Sequence, residues 1–189
     1  MTKRRIFIAV NLPEKIKKRL KEYKEKHDNL SVRWTKIPSL HLTLVFIGYV
    51  DDEQMLKACK ITREVASEVE SFFIYFKRII LGPPGKEPRM IWLEGEKSDA
   101  LTRLRDALQE ALFSADAGFN HKESRPFSPH ITLAKIKSDE WCKLLTSDIN
   151  NVGQDFQAQV EVNSIEVMES DLKYDGAEYA ALESCFLGK

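Results

Sequence analysis

Cysteine is scarce in this chain of 189 residues: only Cys59, Cys142 and Cys185 occur. An odd number with no C-x-x-C spacing argues against a disulfide framework and against a cysteine-built structural zinc site, and it fits a reducing, cytoplasmic setting. Long apolar runs are also missing. The stretch from Ile6 to Val10 is too short for the core of a signal peptide and lacks a small-residue cleavage site, and no other run approaches the ~20 apolar residues of a membrane span. Net charge is absent too, with 29 Lys and Arg against 29 Asp and Glu. No low-complexity segment interrupts the order of elements. What remains, 43% hydrophobic and 31% charged residues, is the composition of a globular chain able to bury a core.

The zero net charge hides an imbalance. Residues 1–36 hold 12 of the Lys and Arg and 4 of the Asp and Glu, leaving 17 against 25 for the rest, so +8 faces −8. Half of the excess lies in EKIKKRLKEYKEK, where Ile16, Leu20 and Tyr23 recur at helical spacing. This reads first as the solvated face of an amphipathic helix, and it also allows an anionic partner.

Along the chain, RIFIAV reads as a buried strand and Pro13 opens a helix to about His27. HLTLVFIG is a strand ended by Gly48. Asp51 and Asp52 cap a second helix to about Glu70, and SFFIYFKRIIL is a strand by its aromatic and β-branched density. GPPGKEP is a break and RMIWLEG the next strand. Ser98 precedes a third helix, striped by Leu101, Leu104, Leu108 and Leu112 and ending near Gly118. A polar loop with His121 leads to PHITLAKI, then a short helix from about Asp139 with Trp141, Leu144 and Leu145, and the strands FQAQVEV, SIEVME and EYAALESCF. The order strand, helix, H-x-T-L strand, acid-started helix, strand occurs twice, over about 5–81 and 88–186. A duplication of this length points to two similar lobes about a pseudo-twofold axis rather than to a repeat array.

The duplicated element is HLTL at 41–44 and HITL at 130–133. Shuffling this composition gives roughly 0.015 copies of H-x-T-L, so two copies carry weight where one would not. In a strand, residues i and i+2 share a face. His41 with Thr43, and His130 with Thr132, therefore stand together while Leu42, Leu44, Ile131 and Leu133 turn to the core.

A lone strand histidine reads as structural; a duplicated one reads as functional. Metal binding competes, yet each motif offers one nitrogen, and no neighbouring Asp, Glu or Cys completes a tetrahedral set. A histidine nucleophile lacks an evident carboxylate orienter in sequence. Two imidazoles titrating near pH 6.5 suit acid–base work, one accepting a proton while the other donates. The threonines suit hydrogen bonds to phosphate oxygens. Together they describe metal-free, cofactor-free cleavage of a phosphodiester. Trp34 beside Arg33 reads as a half-buried strand aromatic that could also stack a base, and His27 as a helix C-terminal cation.

At these residues the sequence resembles the 2H phosphoesterases. The likeness runs through RIFIAVNLP, Leu40 to Gly48, Phe127 to Leu133, and Ser170, Leu172, Gly176 and Tyr179, and is strongest to the bacterial and archaeal RNA 2′,3′-cyclic phosphodiesterases, also described as 2′-5′ RNA ligases. It implies a single domain over 1–189 with a bilobal, duplicated α+β fold, two antiparallel sheets with helices outside and a central cleft. It implies RNA ends or 2′,3′-cyclic nucleotides as partners, opening of the cyclic phosphate to a 2′-phosphate, and reversible 2′-5′ ligation. His130 would be the base, His41 the acid, and Thr43 and Thr132 the phosphate holders. Phe127 and Pro129 would shape the approach to His130. The family commonly has arginine five residues after the second histidine, where this chain has Lys135; the first repeat has Phe46. The resemblance sets both beside the nucleobase, whereas strict alternation sets Phe46 in the core and Lys135 on the back surface. A domain of this fold that binds a nucleotide or RNA without turning it over is the other reading. Nothing in the sequence demands more than a monomer.

Overall fold

The structure, a computed structural model, describes residues 3–85, 87–114, 118–119, 126–136, 151–173 and 176–188. His121 and the short helix expected from Asp139, with Trp141, Leu144 and Leu145, lie outside the described residues. The strands are β1 (Arg4–Asn11), β2 (Arg33–Trp34), β3 (His41–Val50), β4 (Phe72–Gly82), β5 (Met90–Gly95), β6 (His130–Lys135), β7 (Gln154–Val162), β8 (Ser164–Lys173) and β9 (Gly176–Phe186). The helices are α1 (Glu14–Lys26), α2 (Asp52–Ser67) and α3 (Asp99–Leu112). Each starts where its residues dictate. Pro13 precedes α1, Asp51 accepts from Gln54 N in a reciprocal capping box, and Ser98 accepts from Leu101 N.

The named strands form one sheet path, β7-β4-β5-β6-β3-β1-β8-β9, with β2 added to β6, and every ladder between them is antiparallel. Its two halves, β3-β1-β8-β9 and β6-β5-β4-β7, meet at a single registered pair, Leu42 with Ile131. The two antiparallel sheets expected are thus joined through this bridge into one continuous sheet. Chain order and sheet order part at β4. This strand closes the first sequence repeat, yet it pairs with β5 and β7 of the second half, while β8 returns to β1 in the first.

One face of this sheet and the helices enclose the main core. Ile6, Ile8 and Val10 of β1, Leu42 and Leu44 of β3, Ile91 and Leu93 of β5, and Ile131 and Leu133 of β6 meet Ile16 and Leu20 of α1, Ala58 and Ala66 of α2, and the leucine stripe of α3. Truncating one of these fully buried leucines or isoleucines to alanine costs about 2–5 kcal/mol. The other face carries a smaller cluster, Phe7, Ala9 and Met168 with Tyr179 against it, and here the site lies.

Candidate active site

Both histidines open their strands on the face opposite the core. The bridge Leu42–Ile131 joins the residues that follow them, so continuing its antiparallel register sets His41 across from Thr132 and Thr43 across from His130. Two H-x-T motifs far apart in sequence become one four-residue constellation because their intervening residues pair.

Each imidazole is held in the same way. His41 Nδ1 lies 2.7 Å from the Ser39 carbonyl and His130 Nδ1 lies 2.8 Å from the Ser128 carbonyl, in each case two residues back. A carbonyl only accepts, so Nδ1 carries the proton and Nε2 is left to exchange one. The orienting group that the sequence did not reveal is thus a backbone carbonyl. Gly95 keeps the second of these segments in place: its N–H donates to the Pro129 carbonyl at 2.9 Å, and a Cβ there would stand 2.9 Å from Pro129 Cβ.

Burial pushes both imidazoles below the ordinary histidine value, against the opposing effect of the carbonyl bonds. His41 is pushed further by Lys17, a buried lysine whose ammonium lies 3.4 Å from the Pro38 carbonyl. Lys17 was hidden in the basic run of α1. Its signal was its position on the stripe of Ile16, Leu20 and Tyr23 rather than on the solvated face.

The ring neighbours differ between the halves. His41 lies 4.8 Å from Phe7, tilted, and 4.9 Å from Tyr179, edge to face. His130 is stacked on Trp92 at 3.9 Å and 25°. Trp92 in turn lies against Gly82, where an added Cβ would meet its ring at 2.3 Å. Phe7 and Trp92 were read from sequence only as strand residues.

Strict alternation fails after each threonine. In β3 the ladder to β1 passes from Thr43 opposite Ala9 to Val45 opposite Ile8, skipping Leu44; in β6 the ladder to β5 passes from Thr132 opposite Trp92 to Ala134 opposite Ile91, skipping Leu133. Each is a β-bulge at the third residue after a histidine, and each shifts the remaining strand by one. Phe46 is consequently 51% exposed on the histidine face, 6.0 Å from Phe7, rather than in the core, and Lys135 comes onto the same face as Thr132. Gly48 does not end β3. At φ 98° it lies inside the strand, next to a second register shift.

Thr132 Oγ1 faces Met90 Sδ at 3.9 Å, whereas Thr43 has no protein partner among the described residues. Trp34 packs on the core side opposite Ala134, with its ring edge to Tyr23, so it does not reach the histidine face. Phe127 packs against the core beneath Arg105, while Pro129 directly precedes His130. His27 caps α1 and bonds the Tyr23 and Asn151 carbonyls. Among the described residues no group of three His, Cys, Asp or Glu could hold a metal ion, and no helix is long and apolar enough to cross a membrane.

A duplicated antiparallel sheet presenting one H-x-T per half is the architecture of a two-histidine phosphoesterase. The chain belongs to the 2′-5′ RNA ligase superfamily, whose family model matches residues 12–173. Among its relatives, the RNA 2′,3′-cyclic phosphodiesterase of Thermotoga maritima is 32% identical over 195 residues, covering 96% of this chain and 94% of its own. That of Bacillus subtilis is 35% identical over 130 residues, covering 68% and 69%. The fold matches TT0787 of Thermus thermophilus with a TM-score of 0.82 at 27% identity, over 98% and 99% of the two chains. It also matches E. coli LigT complexed with 3′-AMP, with a TM-score of 0.78 at 22% identity over the whole of both chains.

Proposed function

We propose that this enzyme hydrolyses RNA 2′,3′-cyclic phosphate ends to 2′-phosphates without a metal. The observation that carries the reading is the identical tethering of two imidazoles by Nδ1, one on each side of the Leu42–Ile131 bridge. Nε2 of each ring is then the proton-exchanging atom.

His130, kept neutral at pH 7 by burial, takes a proton from water as the water oxygen attacks phosphorus. The bond from phosphorus to the 3′-oxygen breaks on the opposite side, and His41 gives its Nε2 proton to that oxygen. Burial and Lys17 make the His41 imidazolium a stronger acid than an ordinary one; the arriving phosphate anion favours its charged form. Thr43 and Thr132 donate hydrogen bonds to the non-bridging oxygens, where charge builds in the transition state. Proton exchange with solvent resets the two rings. The same step with a 5′-hydroxyl in place of water makes a 2′-5′ linkage, and its reverse cleaves one. Phe46 offers a ring and Lys135 a point charge to the terminal nucleotide. One copy of the chain carries both motifs, so a monomer suffices, and the cytoplasm is where such RNA ends are met.

The test is incubation of EDTA-treated protein with an oligoribonucleotide ending in 2′,3′-cyclic phosphate, followed by phosphorus NMR of the product. A 2′-phosphate is expected. A 3′-phosphate would reverse the leaving group, and inhibition by EDTA that zinc or magnesium relieves would sink the metal-free step. Binding without any product would establish instead a nucleotide-binding module of this fold.

A further inference from the structure

Several arginines of this chain are matched to acids. Arg4 bonds Asp52 and Glu169, Arg63 bonds Glu183 and Arg78 bonds Glu94. Arg5, Arg33 and Lys135 make no such ion pair among the described residues, yet the fold brings them together. Arg33 and Lys135 are cross-strand partners on β2 and β6, on the face opposite Trp34 and Ala134. The bulge at Leu133 makes that the histidine face. Arg5 stands two residues before Phe7 on β1 and so shares the face of Phe7. Both arginines lie within electrostatic reach of Lys135 and of Tyr179; burial, then Arg33, then Arg5 lower the Lys135 ammonium below its usual value.

Beside them lies an orphan hydroxyl. Ser170 is the cross-strand partner of Tyr179, is 7% exposed, and its Oγ has no hydrogen-bond partner among the described residues. Met168, two residues earlier on β8, packs with Phe7 and Ala9, so Ser170 turns to the same side. Three cations without a counter-ion among the described residues and a buried hydroxyl unsatisfied by them are unfavourable around empty space and favourable around an anion. Two of the three are arginines, whose planar fork matches phosphate oxygens.

The spacing identifies the anion. While β6 runs from Thr132 to Lys135 through the bulge, its partner β5 advances two residues, Trp92 to Met90, about 7 Å. A phosphate at Thr132 and another at Lys135 are thus about one nucleotide step apart. We propose that Arg5, Arg33 and Lys135 form a second phosphate site, holding the phosphate on the 5′ side of the nucleotide whose cyclic phosphate is opened. The substrate is then an RNA end or a 5′-phosphorylated nucleotide, and a nucleoside 2′,3′-cyclic phosphate alone is a poor one. This rests on the phosphodiesterase reading above.

The test compares kcat/KM on three substrates: a nucleoside 2′,3′-cyclic phosphate, its 5′-phosphorylated form, and a dinucleotide ending in the cyclic phosphate. Wild type should prefer the two that carry the extra phosphate by about ten- to hundredfold, and Arg5→Gln and Arg33→Gln should shrink that ratio toward one. Lys60→Gln, which removes a positive charge on the far helix α2, should leave the ratio intact. The dinucleotide against the 5′-phosphorylated form tells an internal phosphodiester from a terminal phosphate as the natural occupant. Equal rates on all three substrates, or parallel losses on all three in the arginine variants, would overturn the site while leaving the activity standing. If none is hydrolysed the activity reading fails, and binding decides the site: adenosine 3′,5′-bisphosphate should bind more tightly than adenosine 3′-monophosphate, and Arg33→Gln should erase the difference. Equal binding of the two by wild type would overturn the site.

Discussion

The two halves of the site share a backbone and differ in side chains. In both, a carbonyl two residues back fixes the imidazole, a threonine follows on the same face, and a bulge at the third residue turns the fifth to that face. Around that common frame, Ala9 stands opposite Thr43 where Trp92 stands opposite Thr132, Phe7 stands opposite Phe46 where Met90 stands opposite Lys135, and Tyr179 covers only His41. On the proposed function, the duplication preserves what would deliver protons and diversifies what would touch the substrate. Proton transfer needs a ring held in one tautomer, which backbone geometry supplies. Recognition of an asymmetric nucleotide needs two unlike walls, which only side chains supply.

The largest effect should come from breaking what the halves share. His41→Ala and His130→Ala should each lower turnover by about 10²–10⁴-fold on a cyclic-phosphate oligonucleotide, while binding measured by calorimetry stays near wild type. A variant of either kind retaining wild-type rates would show that the halves are not partners in acid–base work.

Gly82→Ala breaks one half only. Its Cβ would displace Trp92 and, through the stack, His130. A loss of about 1–3 kcal/mol of stability in urea denaturation is expected. Turnover should fall with it, while the tether of His41 to Ser39 remains. Unchanged turnover would mean that Trp92 does not position the ring.

The pH dependence sharpens what the halves have in common. Both histidines have folded values below the ordinary 6.5, set first by burial. The deprotonated base is therefore available below pH 6.5, and the bell of kcat/KM, which reports the free enzyme, should be centred on the acid side of that value. The same shift makes folding stability fully present above the unfolded value and lost as pH falls through the folded values. Denaturation midpoints measured from pH 7 to pH 5 should thus decline less in the double His→Ala variant than in wild type.

The smallest effect should follow from altering one wall while keeping its charge. Lys135→Arg places a planar fork opposite Met90, and a severalfold change in KM with little change in kcat would place the residue in binding rather than in proton transfer. A comparable fall in kcat would contradict that division.

Much of this was legible in the chain because it is local. The caps of α2 and α3, the leucine stripe of α3 and the pairing of His41 with Thr43 follow from periods and hydrogen-bonding chemistry within a few residues. The exposure of Phe46 was not legible from alternation, which set it in the core against the family resemblance, since period two holds only until a bulge breaks it, and a bulge is defined by the partner strand. Lys17 was missed because counting charges does not tell which lysine lies on the buried stripe. Trp92 was missed because its partner in the stack, His130, belongs to a different strand, beyond the whole of α3.

By itself the sequence determined that two imidazoles and two hydroxyls stand on like strands, since residue type and a period of two suffice for that. Only the tertiary structure decided that they share one face beside a common bridge, that Nδ1 of both rings is tethered to a carbonyl, that Phe46 and Lys135 turn to the same face, and that Arg5 and Arg33 lie within electrostatic reach of Lys135. The reason is physical: these depend on which backbone groups pair across strands distant in sequence, and register is a property of two strands, never of one.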